Sequence, residues 1–212
     1  VDISGHWQDC LELAWEAYRM GSVPVGAIFV DSNGSIRYRG RNRIFETSNT
    51  ASGGIVGTRL AHAEINVLLQ APPEAYAEMA EGTLMTTLEP CPMCTGALVM
   101  SGIRRVMFGA RDREAGSLGL LTQNAYMHRK GITVVGPEPV VQAISLTLMT
   151  AHILRVGGHR QENFLAAFSQ DDRPAVRLGT QWFRNGTLDA LARQSSSIDA
   201  LLVAVATAHP NL

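Results

Sequence analysis

The sequence is poor in cysteine, in lysine and in long apolar runs. Its three cysteines, Cys10, Cys91 and Cys94, are too few for the disulfide framework of a small secreted domain. Lys130 is the sole lysine, and 18 basic residues face 19 acidic ones, for a net charge of −1. Nucleic-acid binders more often carry a basic excess, so this balance counts against a role built on broad phosphate contact, although a local patch can hide in a neutral total. The longest uninterrupted apolar run, residues 200–206, falls far short of the roughly 20 residues of a membrane helix. No charged-then-greasy leader opens the sequence, so the expectation is a soluble, cytoplasmic protein with no membrane partner. Low charge, 17%, goes with 46% hydrophobic residues, which describes a chain with a core and not a disordered one. At 212 residues the chain can bury roughly 70% of its unfolded surface without covalent staples.

Periodicity supplies the organisation. Residues 5–20 read as a helix with Trp7, Leu11, Ala14, Trp15 and Tyr18 on one face. An apolar run over 24–31, the turn Asp31-Ser-Asn-Gly34 and a return strand over 36–43 read as a hairpin. Helices then alternate with strands: a helix from 61 to about 69, a strand at 83–88, a helix from 90 to 101, strands at 104–109 and 132–135, and an apolar helix over 139–156. This order predicts an α/β fold, a three-layer α/β/α sandwich around a mixed sheet, in residues 1–156. Residues 157–212 give weaker signals, with a helical stretch over 187–208. They are expected to form a helical C-terminal extension packed on the domain or on a dimer partner.

Two stretches carry chemistry, His62-Ala-Glu64 and Pro90-Cys-Pro-Met-Cys94, and both stand where the chain enters a helix. Cys91 and Cys94, three apart at a helix start, can aim both sulfurs at one point, and the positive end of the helix dipole favours thiolates. His62 adds a nitrogen ligand. A closed structural zinc site uses four protein ligands, whereas a catalytic one keeps a position for water, so His62, Cys91 and Cys94 predict a catalytic Zn2+. Zinc brings the pKa of its water to about 7 and a carboxylate takes the proton, the role left for Glu64. Taken singly, each piece has a duller reading: a redox Cys-x-x-Cys, a surface histidine, a solvated carboxylate. Together, His-x-Glu followed by Pro-Cys-x-x-Cys is the signature of the zinc deaminases.

With these residues in view, the sequence resembles the cytidine deaminase-like superfamily, in its branch of tRNA adenosine deaminases and guanine or cytosine deaminases. The resemblance covers roughly residues 7–135. It rests on Val23-Pro-Val-Gly-Ala27, Ala61-His-Ala-Glu64, Thr87-Leu-Glu-Pro-Cys-Pro-Met-Cys94 and Phe108-Gly-Ala-Arg-Asp112. It implies zinc on His62, Cys91 and Cys94, proton shuttling by Glu64, and substrate contacts from Asn42 and Asp112. Asn42 could instead cap a turn, and Asp112 could cap a loop. On the same strand Arg37, Arg39, Arg41 and Arg43 alternate onto one face, readable as a solvated face or as a phosphate-binding ridge. Cys10 and the remaining histidines, His6, His128, His152, His159 and His209, receive no role.

Departures from the tRNA enzymes steer the expected substrate. Residues 50–60 look inserted beside the site, and the 137–154 segment has no lysine or arginine to hold phosphates. The sequence therefore predicts a hydrolytic deaminase of a nucleobase, nucleoside or related small heterocycle. Deamination of adenosine in tRNA is the alternative, and a non-catalytic zinc-binding module the remote one. A homodimer is expected, from the resemblance and because the helices over 138–156 and 198–206 look too apolar to face water.

Overall fold

Helix α1 (Gly5–Arg19) buries Trp7, Leu11, Ala14, Trp15 and Tyr18 along one face, and Gly21, at φ 79°, ends it. The computed structural model describes residues 3, 5–47, 54–195 and 197–209. Strands β1 (Gly26–Val30) and β2 (Ile36–Arg41) form the hairpin. Its turn is held by the Asp31 carboxylate, which accepts from the backbone N–H groups of Asn33 and Ser35, both at 2.9 Å. There follow α2 (Ala63–Leu68), a 3-10 turn at Pro73–Ala75, α3 (Tyr76–Glu81), β3 (Thr83–Leu88), α4 (Pro92–Met100) and β4 (Arg105–Ala110). Two single-turn helices, α5 (Leu120–Gln123) and α6 (Ala125–His128), precede β5 (Thr133–Val135) and the long α7 (Pro139–Val156). The chain closes with α8 (Gln161–Asp171), α9 (Arg173–Arg184), α10 (Thr187–Gln194) and α11 (Asp199–Ala208).

The sheet order is β2-β1-β3-β4-β5. β1 runs antiparallel to β2 and β3, while β3, β4 and β5 are parallel. β1 is buried at every position, so its alternating side chains feed two cores. Ala27 and Phe29 join Leu84, Phe108, Val67 of α2, Met79 of α3 and Leu98 of α4. Ile28 and Val30 join Met85, Trp7, Leu11 and Trp15 of α1, and Val141, Ile144 and Leu148 of α7. These are the three layers that the periodicity predicts.

The strand expected over 36–43 is shorter, and its faces are less regular than strict alternation. β2 ends at Arg41, so Asn42 and Arg43 lie beyond it. A register shift opposite Phe29 and Val30 sets Ile36 toward the α1 side and Tyr38 toward the α2 side. The arginines accordingly form no single face: Arg37 and Arg39 stay about half exposed, as a solvated face would have them, whereas Arg41 and Arg43 are largely buried. Arg37 pairs with Glu78 at 3.2 Å and Arg39 with Asp9 at 3.2 Å. Arg41 pairs with Glu16 at 2.9 Å and with Glu46, and the buried Arg43 pairs with Glu46 at 3.1 Å. Burial would raise the Glu46 carboxyl, yet the hydrogen bonds and charges of Arg41 and Arg43 hold it below its ordinary value.

The C-terminal extension contains two helices that the sequence reading left without elements, α8 and α9. α9 carries ordinary signals: Asp172 caps it by accepting from the Ala175 N–H at 3.0 Å, Pro174 follows, and Val176, Gly179 and Trp182 share its buried face. Gly179 lets α9 lie against α7, because a Cβ there would sit 2.5 Å from the Thr147 carbonyl oxygen. Leu188, Ile198, Leu201 and Val205 of the last two helices complete the second core. Residues 143–153 of α7 are all buried. By length and composition α7 is the described helix that could cross a membrane, and here it is a core helix. Most of the α7 surface invoked for a partner copy is thus covered within the chain itself, while Val156 and Val203 stay exposed.

Candidate active site

His62 stands at the N-cap of α2 and Cys91 at the N-cap of α4, with Cys94 in the first turn of α4. The two helix starts meet at the end of the sheet where β3 stops. Gly40 permits this on the β2 side, since a Cβ there would lie 2.5 Å from the Ala63 carbonyl oxygen. The His62 Nδ1 lies 3.6 Å from the Cys91 Sγ and 3.5 Å from the Cys94 Sγ, and the three donor atoms fall within 4.8 Å of one another. Zinc–sulfur bonds of about 2.3 Å and zinc–nitrogen bonds of about 2.0 Å around a tetrahedron place N and S roughly 3.6 Å apart, so the donor set fits zinc. The Cys91 thiol is pulled down, first by its hydrogen bond from Cys94 and then by His62. Cys94 is pushed up by that same bond and by burial. His62 is raised, chiefly through its hydrogen bond to Cys91.

Glu64 is the buried carboxylate of this group, 4% exposed. Its Oε2 accepts from the Cys94 thiol at 3.4 Å and its Oε1 from the Thr86 hydroxyl at 3.5 Å. Burial raises its pKa, as suits a group that must hold a proton for part of a cycle.

A cavity of about 320 Å³ opens over these residues, near the lower end of the range for small-molecule sites. His62, Glu64 and Cys91 form its floor, with Cys94 buried behind them. Asn42 and Asp112 both line it, so all the residues singled out in the sequence come together. Each also does the capping job named as its alternative. The Asn42 Oδ1 accepts from the Ile44 N–H at 3.1 Å. The Asp112 Oδ1 accepts from Glu114 and Ala115 N–H groups at 3.0 and 2.9 Å, and burial raises its pKa.

The far wall comes from residues to which the sequence reading gave no role. Met149, His152, Ile153 and Val156 of α7 and Arg160, Gln161 and Phe164 at the start of α8 line it, and Glu89 lies at its side. His152 had one available signal, an imidazole inside an otherwise apolar helical run, but no ligand spacing to give it meaning. The inserted segment was expected to reshape this pocket. Residues 50–53 lie outside the described residues, and none of 54–60 lines the cavity; Gly57, Thr58 and Arg59 border a separate depression that shares His62.

Residues 2–110 match the cytidine and deoxycytidylate deaminase zinc-binding region, and the chain belongs to that family. Among curated relatives, it is 38% identical over 117 residues to the tRNA-specific adenosine deaminase of Bacillus subtilis, a match covering 55% of this chain and 66% of that protein. It is 29% identical over 120 residues to the cytosine deaminase of Candida albicans, over 55% of this chain and 72% of that one. Its fold is similar to a solved guanine deaminase from Nitrosomonas europaea, with a TM-score of 0.54 at 22% identity over 69% of this chain and 82% of the other. The chain thus spans about two thirds of the length of the bacterial curated relative.

Proposed function

We propose that the chain is a zinc-dependent hydrolytic deaminase that releases ammonia from an amino-substituted nucleobase, nucleoside or related small heterocycle. The carrying observation is the enclosure of the His62, Cys91, Cys94 and Glu64 cluster under a small wall built by α7 and α8. Zinc on His62, Cys91 and Cys94 supplies Lewis-acid chemistry and acidifies water. Glu64, buried on the cavity floor, takes a proton from the attacking water on a carboxylate oxygen. It delivers that proton to the ring nitrogen, then passes the second water proton from the added hydroxyl to the amino nitrogen, which leaves as ammonia as the C–N bond breaks and the C=O forms. The backbone N–H groups at the start of α4 face the site and favour charge that develops there. Val23, Val25, Ile44, Leu88 and Phe164 keep the ring in an apolar slot and exclude bulk water.

Deamination of adenosine in tRNA is the second reading, favoured by the 38% identity to the Bacillus subtilis enzyme. Against it stand the buried α7 and the arginines of β2, which are taken up by Glu78, Asp9, Glu16 and Glu46. Ammonia release from a panel of free bases, nucleosides and a tRNA anticodon stem-loop separates the two. Turnover of a free base or nucleoside is expected. Turnover of the stem-loop alone, with affinity falling by orders of magnitude from low to moderate salt, would establish the second reading instead.

A further inference from the structure

The polar groups on the cavity wall are mostly engaged. Asp112 Oδ1 holds two backbone N–H groups, Glu89 Oε2 accepts from Arg111 and the Asp112 N–H at 3.4 Å each, and Arg160 pairs with Glu114 at 3.8 Å. His152 differs from these. It is 4% exposed, lines the cavity, and its Nδ1 is buried with no hydrogen-bond partner. Its ring lies 5.9 Å from that of Phe45, with no polar contact between them. Burial, helped by the Arg155 charge, holds the imidazole near pKa 4, so it is neutral at ordinary pH. A neutral imidazole carries one N–H. Nδ1 is enclosed, so Nε2 is the nitrogen that a ligand in the cavity meets, and on the Nε2–H tautomer it is a donor.

We infer that His152 donates its Nε2–H across the cavity to a carbonyl oxygen of the substrate, which makes the preferred substrate an oxo-bearing amino heterocycle such as cytosine or guanine. Asn42 supports the same choice. Its Oδ1 already accepts from the Ile44 N–H, and its Nδ2 makes no hydrogen bond among the described residues, so it too has a donor to offer. A ring without the carbonyl would leave a desolvated donor unpaired, the kind of loss that gives a site its selectivity. This inference rests on the deaminase reading for its substrate class, and its test is read by binding as well as by turnover.

The experiment compares cytosine with 4-aminopyrimidine, and guanine with 2-aminopurine, each pair differing by one carbonyl. Dissociation constants are measured by calorimetry on the zinc-loaded full chain carrying Glu64→Gln, and KM and kcat on the chain with Glu64 intact. Preference for the oxo member of at least one pair by about 10- to 100-fold is expected. His152→Phe should erase that preference, weakening the oxo base and sparing the other, with the loss in KM more than in kcat. His152→Gln, whose amide nitrogen reaches the place of Nε2, should restore most of it. Zinc content and the thermal midpoint report whether each variant has folded. A preference unchanged in His152→Phe overturns the inference while the deaminase reading stands. A His152-dependent preference in binding with no ammonia released upholds the inference and overturns the deaminase reading. Absence of both binding and turnover of every base overturns both.

Discussion

Cys91→Ala removes one of three donors converging on a point, and zinc should fall from one equivalent per chain to near zero on metal analysis. Glu64→Gln leaves the donors in place. It should keep its zinc and lose about 10³-fold or more in turnover, measured as ammonia released. His152 gives a pH signature. Its folded pKa, about 4, lies below the ordinary 6.5, so the unfolded chain binds the proton first and stability falls as pH drops from 6.5 toward 4. The expected slope is about 1.4 kcal/mol per pH unit at most, absent from His152→Gln when the two are compared by urea unfolding. At this scale the sequence speaks through spacing. His62, Glu64, Cys91 and Cys94 are legible because each pair sits within one helix start, where residue number alone fixes geometry. Asn42 and Asp112 needed the resemblance. His152 was silent, since what gives it meaning is the cavity it lines with Asn42, Glu64 and Asp112, far from it in the chain.

Among the elements, the segment after β2 depends on one acid. Arg41, Arg43 and Glu46 have side chains only 11%, 5% and 7% exposed. Replacing Glu46 with Gln removes the carboxylate that the largely buried Arg41 and Arg43 share, while Arg41 keeps Glu16, and should cost about 3 kcal/mol by chemical denaturation. Because the Glu46 carboxyl is held below its ordinary 4.5, its contribution is complete above that pH and is lost as pH falls through the lower folded value. The gap between the wild type and Glu46→Gln should therefore close in strong acid. The pairing of the two strands as a hairpin was visible in the sequence, and so was the alternation of arginines. Their partners were not visible, because Asp9 and Glu16 come from α1, Glu78 from α3, and Glu46 from beyond the strand. Strand and helix order came from local periodicity. α9 went unread although its cap and stripe are ordinary, because its apolar positions are interleaved with Arg173, Arg177 and Arg184 and include a glycine.

For the whole molecule, the last two helices are core and not ornament. Leu201 is fully buried among α1 and α7 partners. Leu201→Ala should cost about 2–4 kcal/mol while leaving zinc content at one equivalent. Retained stability in that variant would mean that α11 does not close the second core. The wall over the zinc site belongs to this same construction: α7 gives Leu148 and Ala151 to the second core and Met149, His152 and Ile153 to the cavity. The face that meets a ligand and the face that anchors the C-terminal helices are thus two sides of one rod. A ligand that binds only the intact wall acts as a lock on the far end of the chain. At a ligand concentration a hundred times its dissociation constant, the lock is worth about 2.7 kcal/mol. It should be read as slower amide exchange in α8 and α9, helices that extend well beyond the few residues a small ring can touch.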